Sequence, residues 1–247
     1  MRNTKAIFFK QTSSQLKSPV MIFQAVLFLL IVLIMSFFMS GDDDECYTCI
    51  PAYVCATCLE EASAFYIPDI SIAALFAVMF VGLTLVSMAA ALVNEDKSTQ
   101  NLRFLAMANV KPYQYMLGTL ASMFIISFVI IILFAIVGQY FGTDMLWFVA
   151  IATSGAVVSI LLGAAIALSK FAVVLMPVSL VLGMGPMLSE FNEGLANTLR
   201  FTYTQQIRLA VGGLGYDMTE NFIIIGLNGL VALWLFVFVH RKGKLIW

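Results

Sequence analysis

A chain of 247 residues that is 62% hydrophobic and only 11% charged carries more apolar side chain than a soluble core can bury; soluble domains average about a quarter charged residues. Its net charge of -1 gives no polyanion a foothold. The composition excludes an ordinary water-soluble domain and leaves lipid as the solvent of the outer surface.

The first segment, Thr4 to Lys17, is polar with apolar insertions at Ala6, Ile7, Phe8, Phe9 and Leu16. It reads as an amphipathic helix lying on the membrane surface with its lysines among the headgroups. An apolar run over 20–39 follows. It exceeds the roughly 7–15 residues of a signal-peptide core, and Gly41 leads into Asp42, Asp43 and Asp44 with no small-residue cleavage site, so it reads as a retained span. Residues 40–69 form a loop holding all four cysteines, Cys46, Cys49, Cys55 and Cys58. Two C-x-x-C pairs can hold zinc, or form disulfides in an oxidising compartment. The second reading is preferred here and a structural zinc kept as the alternative. Ile50 and Leu59 follow the pairs, which excludes haem attachment, and four cysteines allow three pairings. The acidic run Asp42 to Glu45 beside them either attracts cations or is simply solvated.

Further apolar runs cover 70–93, 115–138, 146–169, 171–188 and 222–239. Each is close to the length of about 20 residues that a helix needs to cross the bilayer, and none alternates as a membrane β-strand would. Gly155, Ser159 and Gly163 share a face of the fourth run, and Gly226 and Gly229 lie in the sixth, as expected of closely packed membrane helices. Pro177 and Pro186 are expected to kink the fifth, beside Gly183 and Gly185. Between the fifth and sixth runs, residues 189–221 hold Phe191, Leu195, Leu199, Phe201, Tyr203, Ile207 and Leu209 among polar residues, a pattern that fits two short amphipathic helices on the outer side. Gly212, Gly213 and Gly215 suit the turn back. Arg200 and Arg208 read as solvated charges, with contact to lipid phosphate or substrate as the alternative.

Basic residues collect in cytoplasmic loops. With six spans, every Lys and Arg except Arg200 and Arg208 falls on one side, and every Asp and Glu except Glu95 and Asp96 on the other. The expected fold is therefore all-α and polytopic, a single permease-like domain over 1–247 with six transmembrane helices and both termini cytoplasmic.

The cytoplasmic loop 94–113 is long for a helical connection. Leu102, Leu105 and Ala106 stand at helical spacing, and Glu95, Asp96, Ser98 and Thr99 suit a helix start. Asn109 and Pro112 suit its end. This predicts a short amphipathic helix across the cytoplasmic face. The residues Glu95, Lys97, Ser98, Thr99, Leu102, Leu105, Tyr115, Leu117 and Gly118 make the segment resemble the cytoplasmic loop of type-2 ABC transporter permeases, the membrane subunits of drug, antibiotic, peptide and polysaccharide exporters. Ala108-Asn109 replaces the family's proline turn, and Thr119 stands where the family has Lys. The resemblance extends to chain length, six spans and the long outer loop before the last helix. It implies that Glu95, Lys97, Ser98, Thr99, Leu102, Arg103 and Leu105 belong to a coupling helix. That helix would dock on a cytoplasmic ATP-binding subunit, with a second permease, identical or related, completing a dimer. It also implies re-entrant or outer helices capping the pathway.

No G-x-x-x-x-G-K-[ST] loop is present, so ATP and Mg are expected on the partner ATPase and no cofactor on this chain. No carboxylate or His falls inside a span, which argues against an ion-coupled transporter. The single His, His240, sits beside Arg241 and Lys242 as part of a basic anchor, and one His gives little support to hydrolase chemistry. The expectation is an exporter subunit in the cell membrane for a hydrophobic or amphipathic cargo, not itself an enzyme. A membrane-embedded sensor or scaffold without transport is the alternative.

Overall fold

The computed structural model describes residues 2–17, 23, 26–34, 69–99, 112–138, 140–169, 174–189, 192–212 and 219–242. The four cysteines, together with Leu102, Arg103 and Leu105, lie outside the described residues. Every regular element among those described is helical. In chain order they are α1 (Arg2–Lys17), α2 (26–34), α3 (Asp69–Met79), a π-helical stretch (Phe80–Leu85), α4 (Val86–Ser98), α5 (Pro112–Val137), α6 (Thr143–Leu168), α7 (Leu175–Leu188), α8 (Glu193–Leu199), α9 (Tyr203–Gly212) and α10 (Thr219–Lys242).

Among the described residues, four helices are long and apolar enough to cross a membrane: Ala74–Ser98, Gln114–Val137, Thr143–Leu168 and Thr219–Val239, of 25, 24, 26 and 21 residues. They correspond to the second, third, fourth and sixth apolar runs. Of the first run, residues 23 and 26–34 are described and helical. Of the fifth run, residues 174–188 are described. Helix α7 has 14 residues, about 21 Å at 1.5 Å per residue, against a hydrocarbon core of about 30 Å.

One end of the bundle carries Lys97 and the basic close of α10; the other carries Asp69, Asp144 and Glu220. These are called the basic and acidic ends. The core between them is aromatic and β-branched. Phe80 stacks at a tilt on Phe134 with centroids 5.6 Å apart, and Phe28 of α2 meets Phe80 edge-on. Helix α10 contributes little to that core and keeps Leu227, Leu230, Val231 and Trp234 exposed, as a helix facing lipid does.

Two irregular elements meet at the centre. The second span loosens into the π-helical turn at Phe80–Leu85, and the Ser87 hydroxyl donates to the Leu83 carbonyl at 2.7 Å. Opposite it, Pro186 has no N–H to give the Leu182 carbonyl. That carbonyl abuts Gly82, where a Cβ would lie 2.5 Å from its oxygen; a Cβ on Gly183 would lie 2.6 Å from that of Leu83. Backbone thus touches backbone, which only glycines permit. Pro177, by contrast, lies in the first turn of α7, where a missing N–H costs no helical bond. The loss of a donor therefore acts at Pro186 alone.

The segment after α7 turns back into the bundle. Leu199 at the end of α8 packs over Gly185 of α7. The turn at 200–202 then reaches the middle of α10, where Asn228 Nδ2 donates to the Phe201 carbonyl at 2.8 Å. From there α9 returns antiparallel to α6: Tyr203 shares a 2.8 Å hydrogen bond with Ser159, and Ile207 fills the notch at Gly155. The two short helices expected in 189–221 are therefore present, but their tip dips to mid-bundle and does not lie flat across its end. Irregular backbone at membrane depth persists only when its polar groups are satisfied. Here Gln206 donates to the Arg200 carbonyl, and Arg208 donates to the Pro186 carbonyl at 2.6 Å and to Ser189 Oγ at 2.8 Å. Asn228→Leu is expected to strand the Phe201 carbonyl at a cost of about 1–3 kcal/mol. The unfolding temperature in detergent should fall by several degrees, although leucine is the better lipid-facing side chain.

Candidate functional site

The basic end carries an organised polar cluster beside the 94–113 loop singled out from sequence. It begins with helix phase. On α4, Ala89, Val93 and Asp96 fall at i, i+4 and i+7 and share one face; all three are buried. A carboxylate on an inward face needs donors, because burying it unpaired is costly. Two arrive from different helices. Gln11 Nε2 of α1 donates to Asp96 Oδ2 at 2.9 Å, and the Tyr115 hydroxyl, from the first turn of α5, donates to the same oxygen.

Helix α1 supplies the third wall. Ile7, Gln11 and Gln15 recur every four residues, and all are buried. Ile7 packs on Tyr115 and Met116, while Gln15 Nε2 donates to Ser122 Oγ at 3.1 Å. Contacts advance along both helices together, so α1 runs beside α5 in the same direction. Its protein-facing side carries the glutamines, and Phe9 is 70% exposed. This differs from a helix held on the membrane only by its apolar insertions, because burial of Gln11 and Gln15 against polar partners decides which face turns inward. Leu168 and Phe236 close the cluster from α6 and α10.

The structure places the loop residues unevenly. Glu95, Asp96, Lys97 and Ser98 extend the second span to its last turn, with Thr99 just beyond. The Ser98 and Thr99 hydroxyls each donate to the Glu95 carbonyl at 2.9 Å. They close a helix end, where the sequence pattern had suggested a helix start. The difference is that the second span runs on past its apolar stretch. Glu95, Ser98 and Thr99 are exposed and Lys97 is half-buried, so the polar surface of this turn is open beside the buried carboxylate. The other residues that the resemblance assigns to a coupling helix, Leu102, Arg103 and Leu105, lie outside the described residues, as do Cys46, Cys49, Cys55 and Cys58. Arg200 pairs with Glu220 at 2.7 Å and Arg208 braces the turn after α7.

Sequence reasoning placed Asp96 at a helix start and did not single out Gln11 or Gln15. The signal was there in helix spacing: Gln11 and Gln15 continue the face of Ile7, and Asp96 continues that of Val93. What the cluster does physically is tie the two stems of the 100–111 segment together, since Asp96 precedes it and Tyr115 follows it. Among the described residues no group of three or more His, Cys, Asp or Glu is placed to hold a metal ion. Compared with known proteins, the chain matches no family model, and no curated protein matches it.

Proposed function

We propose that this chain is the membrane permease subunit of an ATP-binding-cassette exporter, driven by ATP hydrolysed on separate cytoplasmic subunits. In this reading it works in the cell membrane with six crossings, both termini cytoplasmic, and pairs with a second permease. The basic end is then cytoplasmic, in keeping with the usual bias of Lys and Arg. Its cargo is hydrophobic or amphipathic, such as a peptide, an antibiotic or a lipid-like molecule.

The observation that carries this reading is the closed root of the cytoplasmic loop. A handle that transmits force from an ATPase must not flex at its base. Here the stems are joined through Asp96 and Tyr115 and clamped by Gln11 of α1. The in-turned α8–α9 hairpin supports the same reading, because it brings polar side chains into the apolar bundle.

The test is copurification of the full chain with a P-loop ATPase and transport by the reconstituted pair. Leu102→Asp with Leu105→Asp is expected to abolish ATPase binding and transport while leaving the unfolding temperature unchanged. Intact binding and transport in that double variant would overturn the coupling assignment. Partner binding without transport under any condition would favour the sensor or scaffold reading.

A further inference from the structure

Helix α8 presents a polar face outward at a depth where lipid would be expected. Glu193, Asn197 and Arg200 fall at i, i+4 and i+7, the spacing of one helix face, and all three are exposed, with Thr198 beside them. The Arg200 side chain is 57% exposed and its partner Glu220 65%. The depth follows from hydrogen bonds. Phe201, next to Arg200, has its carbonyl on Asn228, the tenth residue of α10, about 14 Å in from Thr219 at 1.5 Å per residue. Tyr203 meets Ser159, beyond the midpoint of α6. Half of a bilayer's hydrocarbon is about 15 Å thick, so the tip of α8 stands near its centre.

Polar side chains at such depth face protein or a water-filled cavity rather than lipid. The neighbouring surface of α10 makes the contrast: Ile223, Leu227, Leu230, Val231 and Trp234 are among its exposed residues. Lipid contact thus continues along α10 and stops at α8. Arg200 also points back toward the acidic end, where Glu220 begins α10, so the polar stripe is continuous from that end to the tip.

We infer that the Glu193–Asn197–Arg200 face of α8 fronts an aqueous recess that enters from the acidic end and reaches the middle of the membrane. The recess needs the helices to sit in a bilayer but needs no ATPase, so its test is separate from that of the transport reading. In a transporter it gives the outer half of the path a hydrated wall, suited to the polar part of an amphipathic cargo, with the exposed ring of Phe201 at its floor.

The experiment is cysteine labelling in the full chain, in membrane vesicles of both orientations, with the four native cysteines changed to serine. The probe is a charged, membrane-impermeant methanethiosulfonate. Asn197→Cys is expected to react at least ten times faster than Leu230→Cys, and only from the side of the acidic end. Equal rates for the two positions would overturn the inference. So would a silent Asn197→Cys that forms a disulfide to a second copy, because that face would then be an interface between copies. Should the serine background not accumulate, charge tolerance gives the second readout in the native chain. Asn197→Asp should accumulate within about twofold of the parent, while Leu230→Asp falls to a small fraction, in line with the penalty for a charge in lipid. Loss of Asn197→Asp equal to that of Leu230→Asp would equally refute the recess.

Discussion

Gly82→Val is expected to remove the folded protein from the membrane, whereas Gly226→Ala should leave it unchanged or slightly more stable. The difference lies in what each new side chain meets. A Cβ at Gly82 comes within 2.5 Å of the Leu182 carbonyl oxygen and 2.9 Å of the Gly183 nitrogen. These are backbone atoms at the crossing of two helices, so no rotamer change relieves the clash, and valine adds two further methyl groups. Overpacking costs about 1–3 kcal/mol where side chains can adjust and more where they cannot. Set against a total stability of about 5–15 kcal/mol, that loss is severe. Around Gly226 nothing lies within 4 Å, and replacing a mid-helix glycine by alanine gains up to about 1 kcal/mol in helix propensity. Size-exclusion profiles and unfolding temperatures of the two variants in detergent check the prediction. A monodisperse Gly82→Val protein with the parent unfolding temperature would refute the backbone contact between the second span and α7.

Asp96→Ala should have the second-largest effect, on stability and on coupling together. Removing the carboxylate leaves the Gln11 amide and the Tyr115 hydroxyl without their shared acceptor. Each stranded buried donor costs about 1–3 kcal/mol. Asp96→Asn keeps an acceptor oxygen and should recover much of the loss. In the transport reading, the alanine variant lowers transport by more than tenfold even at temperatures where the chain remains folded, because the loop stems then move independently. The Leu102 and Leu105 double variant differs in kind, losing partner binding with no change in unfolding temperature. If Asp96→Ala lowered the unfolding temperature but left the ratio of transport to ATP hydrolysis untouched, Asp96 would be a fold-stabilising residue only.

The long apolar helices were the easiest features to read from the chain. A run such as Met116 to Val137 has no other stable home, and its length matches the bilayer. The small-residue face of the fourth run was legible for the same kind of reason: Gly155 and Gly163 both accept close neighbours, Ile207 at one and the Val86 backbone at the other. Two features escaped. The packing of α7 on the second span escaped because composition does not register that the Leu182 carbonyl meets Gly82. The burial of Gln11, Gln15 and Asp96 escaped because local composition marks such residues as surface. Only the meeting of α1, α4 and α5 turns them inward, and no single segment contains that information. Helix phase carried on from Val93 and Ile7 points these side chains inward but does not name their partners.

The hydrogen bond from Asn228 to the Phe201 carbonyl sets an order of events during synthesis. Asn228 lies 27 residues after its acceptor. When the α8–α9 turn emerges from the ribosome, the residue that completes it has not yet been made. Until α10 follows it in, the turn rests on α6 and α7 alone, with the Phe201 carbonyl still waiting for its donor. A chain released before Asn228 should keep its earlier helices threaded, yet present an unfinished hairpin to the quality-control proteases of the membrane.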